Sequence, residues 1–102
     1  MTRTWWLMQG EVQVGELREY GIDQPTCLCH FLPGPGWEPV SPLFEAWAAV
    51  QGPDPDGSRY AKAIRPLMDL GLTLHPSDGS TPLGLFRDCI LRIYGDKARL
   101  RC

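Results

Sequence analysis

Four cysteines and two histidines are the side chains of this 102-residue chain best suited to bind a metal ion or attack a substrate. Cys27 and Cys29 are two residues apart, which on a β-strand places both thiols on one face and His30 on the other. Structural zinc sites take ligand pairs from C-x₂₋₄-C loops, so this C-x-C spacing is too tight for one. Cys89 and Cys102 lie on separate segments with no second cysteine at ligand spacing. We therefore predict no metal site and no cofactor.

A catalytic thiol needs a neighbouring base and a lowered pKa. Cys29 and His30 are adjacent and hence point to opposite faces of a strand, and nothing near Cys102 would activate it. The acidic loop 54–57 lacks the later carboxylate of a calcium site and is typical of a turn and helix cap. The loop Pro33–Gly36 has no lysine or serine placed to hold a phosphate. We expect a binding protein rather than an enzyme, with no catalytic residue.

The elements that would position these side chains follow from the alternation of apolar and polar residues and from the glycine and proline turns. Strands are predicted at 4–8, 12–17, 26–32, 72–75, 89–94 and 98–102, with 83–87 either extended or a turn. The last two strands are joined by Gly95-Asp96, a strong hairpin signal. In that hairpin Leu91 and Ile93 should share a side with Ala98 and Leu100.

Two helices separate the strands. The first should begin at the cap Ser41 and Pro42, and the second at Asp56 or Ser58, with either a kink or a restart at Pro66. The chain order is then βββ-αα-ββ(β). Runs of strands separated by a run of helices predict an α+β fold, an antiparallel sheet of four to six strands with two helices packed on one face.

Large apolar side chains lie on both faces of the predicted strands, more than two short helices can cover. Trp6 and Met8 oppose Trp5 and Leu7, for example. One sheet face can form the core, and the second then needs a partner, a ligand or a covering loop. An aromatic residue on a Pro/Gly loop, Trp37, either packs at the core edge or contacts the partner. The residues predicted to bind a partner are Trp6, Met8, Leu28, His30, Leu32, Trp37, Arg92 and Tyr94.

Charge is distributed unevenly along the chain. Residues 1–57 carry a net charge of −6 and residues 58–102 a net charge of +4, for −2 overall. Arg92, Lys97, Arg99 and Arg101 converge on the last hairpin, where charge commonly protects a terminal strand from aggregation. A basic patch for nucleic acid is the alternative, and the acidic charge balance of the whole chain argues against nucleic acid as a partner.

The length of the chain predicts one domain, residues 1–102, and its fractions of hydrophobic and charged residues are ordinary for a globular protein. No apolar run reaches the ~20 residues of a membrane helix, and no secretion signal is evident, so we expect a cytoplasmic protein without membrane contact. Arginine outnumbers lysine eight to two and asparagine is absent, a bias typical of GC-rich bacterial genomes.

Several short motifs along the chain resemble a family of short uncharacterised actinomycete proteins. They are Trp6 with Gly10, Asp23, Phe31-Leu32-Pro33, Gly36-Trp37-Glu38, Pro42-Leu43-Phe44-Glu45, Leu70-Gly71-Leu72 and Ile93-Tyr94-Gly95-Asp96-Lys97-Ala98. The resemblance covers most of the chain and implies no activity and no functional residue. That family usually has a histidine at the position of Arg92. Because this chain has an arginine there instead, the resemblance does not favour a metal ligand at this position.

The sequence thus predicts a small protein-association module that binds another protein through an apolar sheet face. Self-association in a two-fold dimer is the simplest version, because an axis of symmetry lets one patch cover itself. The alternative is a small-molecule-binding protein or enzyme with a cleft near His30, Arg92 and the loop Pro33–Gly36.

Overall fold

The computed structural model describes residues 3–101, which form seven strands and two helices. In chain order they are β1 (Thr4–Gln9), β2 (Val12–Asp23), β3 (Thr26–Pro33), α1 (Trp37–Ala48), α2 (Ser58–Asp69), β4 (Thr73–Pro76), β5 (Leu83–Gly84), β6 (Ile90–Tyr94) and β7 (Lys97–Arg101). All strands form one antiparallel sheet in the order β5-β4-β1-β2-β3-β7-β6. The α+β class is confirmed, and the predicted count of four to six strands is too low. The extra strand, β5, has only two residues, too few for an alternation pattern.

One face of the sheet forms the core with both helices. Alternate residues of the strands, such as Leu7 and Leu17, are fully buried against Phe44 and Trp47 of α1 and Leu67 of α2. The predicted arrangement of the last hairpin is confirmed, since its four apolar side chains, Leu91, Ile93, Ala98 and Leu100, all join this core. Their intervening neighbours are therefore turned to the opposite face of the sheet.

Strand β2 is longer than its sequence pattern predicts and continues to Asp23, six residues beyond the predicted end at residue 17. Its pairing with β3 is irregular between Glu19 and Gly21, where β2 has one residue more than β3, as in a β-bulge. Near its start, Gly15 lies beneath the ring of Phe31. A Cβ atom at that position would stand 2.3 Å from Phe31 Cε1, so only glycine fits.

Helix α1 begins at Trp37, several residues before the predicted start at Ser41-Pro42. The Trp37 ring packs between Phe31 and Phe44, with ring centroids 4.6 and 5.5 Å away, so core packing draws the earlier residues into the helix. Pro42 is consequently inside the helix and removes one backbone donor there. Pro66 is likewise inside α2, which continues to Asp69 instead of restarting.

The outer edge of β6 is covered by the end of α1. The Trp47 indole N–H donates to the Leu91 carbonyl at 2.9 Å, and the Arg92 guanidinium donates to the Val50 carbonyl at 3.0 Å. The first bond uses a backbone carbonyl that this edge strand would otherwise offer to another chain, and the second ties the β6 side chain to the segment after α1. The opposite edge is the two-residue strand β5. No helix within residues 3–101 is long and apolar enough to cross a membrane.

Candidate functional site

The helices leave the second face of the sheet uncovered over the described residues, and we call it the open face. Strand pairing arranges its side chains in rows that run across the strands. The main rows are Thr73–Met8–Gln13, His75–Trp6–Glu16–Leu32, Thr4–Arg18–His30–Lys97–Tyr94, Gly21–Leu28–Arg99–Arg92 and Asp23–Thr26–Arg101–Ile90. Residues 3–101 include nine exposed large apolar side chains, and five of them lie on this face: Trp6, Tyr20, Leu32, Ile90 and Tyr94.

Six of the eight side chains predicted to bind a partner share the open face. Trp6 is 39% exposed and Leu32 and Tyr94 are each 37% exposed, while Met8 and Leu28 are half-buried. His30 is exposed in the row between Arg18 and Lys97. The structure therefore brings these residues onto one surface, and no described helix covers it.

Trp37 and Arg92 lie elsewhere. Of the two positions left open for Trp37, the structure shows the core edge, against Phe31 and Phe44. Arg92 has a backbone position in an open-face row, but its side chain bends over the edge of the sheet. There its guanidinium carbon stands 4.0 Å from the ring centre of Trp47, a cation–π contact. Both side chains contribute to packing rather than to the exposed surface.

At one end of the open face, a mainly apolar cleft of about 540 Å³ lies beside strand β1. Its lining residues are Trp6, Met8, Gln13, His75, Pro76, Gly79, Ser80 and Pro82. The Trp6 indole N–H donates to Glu16 at 3.2 Å, and Glu16 also pairs with Arg18. These bonds hold the Trp6 ring over the sheet, where it forms the floor of the cleft together with Met8. We call this region the apolar end.

At the other end of the open face, aromatic rings and cations are interleaved. A shallow cleft of about 520 Å³ is lined by Tyr20, Leu28, Gln51, Tyr94, Lys97, Ala98 and Arg99. The Tyr20 and His30 rings are 4.6 Å apart, and Lys97 Nζ lies 3.1 Å from His30 Nδ1 and 5.5 Å from the Tyr20 ring centre. Arg99 forms an exposed ion pair with Asp23 at 3.3 Å.

Tyr20 belongs to this surface but was absent from the predicted set. The sequence could have predicted it, because Glu16, Arg18 and Tyr20 are alternate residues on either side of Leu17, which is buried. This alternation continues the strand pattern beyond its predicted end. The glycine that follows made the segment resemble the beginning of a loop.

A second polar cluster, also unpredicted, lies on the core face at the start of β1. Glu19 is buried and accepts a hydrogen bond from Arg3 at 2.7 Å, and the same guanidinium lies 3.0 Å from Cys27 Sγ. The Arg3 hydrogen bond holds the pKa of Glu19 below its usual value, against the opposing effect of burial. Burial raises the pKa of the Cys29 thiol to about 12, and electrostatic interactions with Cys27 and Glu19 add to the rise. Cys29 is therefore protonated and unreactive at neutral pH.

The alternative cleft near His30, Arg92 and the Pro33–Gly36 loop is not assembled as one site. The loop packs back on the start of β2, where Gly34 N–H donates to Val14 and Gly36 N–H donates to Gln13. Arg92 lies at the far edge of the sheet over Trp47. Within residues 3–101 there is also no cluster of three side chains that could hold a metal ion.

Comparison with protein-family models, curated proteins and solved structures finds no match for this chain. The resemblance to short actinomycete proteins therefore remains a prediction from the motifs.

Proposed function

We propose that the protein is an association module and that its open face binds a second copy of the chain through the apolar end. The observation that carries this proposal is the exposure of Trp6, which is 39% accessible on a sheet face that none of the described helices covers. Met8 adds apolar surface two residues further along β1, and Leu32 adds more on β3, in the same row as Trp6 but beyond Glu16. Large aromatic side chains of this kind are the usual anchors of protein interfaces.

Charge favours a second copy at this end. Glu16 and Arg18 neutralise each other beside Trp6, so the apolar ends of two copies can approach without repulsion between like net charges. The opposite end carries Lys97, Arg99 and Arg101, and two copies stacked there would repel each other. A two-fold axis through the apolar end keeps the two basic ends apart.

The size of this surface implies a weak dimer. Three spacings between β4, β1, β2 and β3 span about 14 Å, and six residues of strand span about 20 Å, giving roughly 300 Å² per copy. That is below the roughly 800 Å² per partner of a stable complex. We expect a dissociation constant on the order of 100 µM, or about −5.5 kcal/mol.

Sedimentation equilibrium of the purified protein, from about 10 µM to 1 mM, tests the proposal. The wild type should shift from monomer to dimer over this range, and Trp6→Glu should remain monomeric because two carboxylates would meet at the axis. Met68→Glu is the matched control, since Met68 is an exposed apolar residue on α2, away from the open face. A wild type that is monomeric throughout, or a Met68→Glu effect equal to that of Trp6→Glu, contradicts the proposal.

A further inference from the structure

We propose that the opposite end of the open face binds single-stranded nucleic acid. This basic end consists of Tyr20, Leu28, Tyr94, Lys97, Arg99 and Arg101. It does not depend on the dimer, because it lies on β7 and its neighbours rather than beside Trp6.

The first support is the line of cations on β7. Lys97, Arg99 and Arg101 are alternate residues of one strand, exposed on one face and spaced about 6.7 Å apart. A row of this kind runs parallel to an extended phosphate backbone and can contact successive phosphates. Within residues 3–101, and apart from Arg92, whose side chain turns toward Trp47, the open face carries four Lys and Arg side chains against two carboxylates, whereas the whole chain has a net charge of −2. Positive charge is thus segregated onto this surface.

The second support is the pair of aromatic positions that flank the cations. Tyr20, 49% exposed, lies on the β2 side, and Tyr94 lies directly opposite Lys97 on β6. The Tyr20 ring packs on the His30 ring, with ring centroids 4.6 Å apart, a contact that favours its orientation beside the cations. Exposed rings beside cations are the arrangement on which unpaired bases stack.

The shape of the site favours a strand over a small molecule or an acidic protein. The cleft is shallow and open, whereas small-molecule sites enclose most of their ligand. An acidic peptide would satisfy the cations but would not need two exposed rings at opposite sides of the same row. Leu28 lies on β3 between the strands that carry the two rings and contributes an apolar floor.

Two existing contacts compete with a phosphate. Asp23 pairs with Arg99 at 3.3 Å, and His30 Nδ1 accepts from Lys97 at 3.1 Å. Both pairs are exposed, so each cation can exchange its present partner for a phosphate at small cost. Removal of the Asp23 charge should therefore tighten binding, a gain that a purely structural role for Asp23 would not produce.

Fluorescence anisotropy with labelled oligo-dT and oligo-rU of about 12 nucleotides measures binding directly. Three phosphate contacts on a single strand predict a log–log salt slope of about −2, so affinity should fall about 20-fold between roughly 50 and 200 mM salt. Lys97→Glu should weaken binding at least about tenfold and reduce the slope by about 0.7. Tyr20→Leu should weaken it about 5- to 150-fold, and Asp23→Asn should strengthen it.

Lys62→Glu, the same charge reversal on exposed α2, is the control and should change affinity less than about twofold. The titration is repeated with Trp6→Glu, whose unchanged affinity would show that the basic end acts without the dimer. The proposal is overturned if neither oligonucleotide binds at low salt, or if Lys62→Glu weakens binding as much as Lys97→Glu. It is equally overturned if a poly-glutamate peptide binds more tightly than the oligonucleotides, which would assign the basic end to an acidic protein partner.

Discussion

Replacement of Trp47 by phenylalanine should destabilise the protein because one buried hydrogen bond holds the last hairpin to α1. The Trp47 indole N–H donates to the Leu91 carbonyl at 2.9 Å, and the ring also lies under Arg92. A phenyl ring fills most of the same space but leaves the carbonyl without its donor, at a cost of about 1–3 kcal/mol. The weaker cation–π contact adds about 0.5 kcal/mol. The expected loss is about 1.5–3.5 kcal/mol, or about 6–28 °C in Tm.

Urea unfolding monitored by circular dichroism measures this loss, with Trp37→Phe as the matched control. Trp37 contacts Phe31 and Phe44 through its ring, a contact that a phenyl group can largely keep, so its substitution should cost less. If Trp47→Phe costs no more than Trp37→Phe, the bond to Leu91 does not anchor the hairpin. The basic row on β7 would then depend on strand pairing alone.

Two further predictions concern the polar cluster at the start of β1. Cys29, with a pKa of about 12, should be alkylated by iodoacetamide at pH 8 about 10³-fold more slowly in the folded protein than in urea, by peptide mass spectrometry. Fast labelling of native Cys29 would refute its burial. Because the pKa of Glu19 is lowered in the fold, its contribution to stability is complete above its ordinary value of 4.5 and is lost as the pH falls through its folded-state pKa. The free energy of unfolding of Glu19→Gln, measured in urea, should therefore fall less steeply with decreasing pH than that of the wild type. An equal dependence on pH in both proteins would contradict the pairing of Glu19 with Arg3.

The parts of the fold that follow from local alternation were predictable from the sequence. The hairpin that carries Leu91 and Leu100 is set by a two-residue glycine turn and a period of two, both visible in the chain. The presence of apolar residues on both faces likewise predicted an open face with Trp6 on it. Local patterns of this kind need no knowledge of distant residues.

The parts that depend on contacts between distant segments were not predictable. The start of α1 is set by the packing of Trp37 on Phe31, and the direction of Arg92 by the position of Trp47, more than forty residues earlier. The pairing of Arg3 with Glu19 requires the register of β1 against β2. The row of rings and cations at the basic end also appears only when four strands, β2, β3, β7 and β6, are aligned, so the sequence showed its residues without their arrangement.

A dilution series of two-dimensional NMR spectra tests the association surface most directly. We predict that the indole N–H resonance of Trp6 and the methyl resonances of Met8 and Leu32 shift with protein concentration, while those of Met68 on α2 stay constant. Spectra that do not change with concentration, or shifts centred on α2, would contradict an association surface at the apolar end.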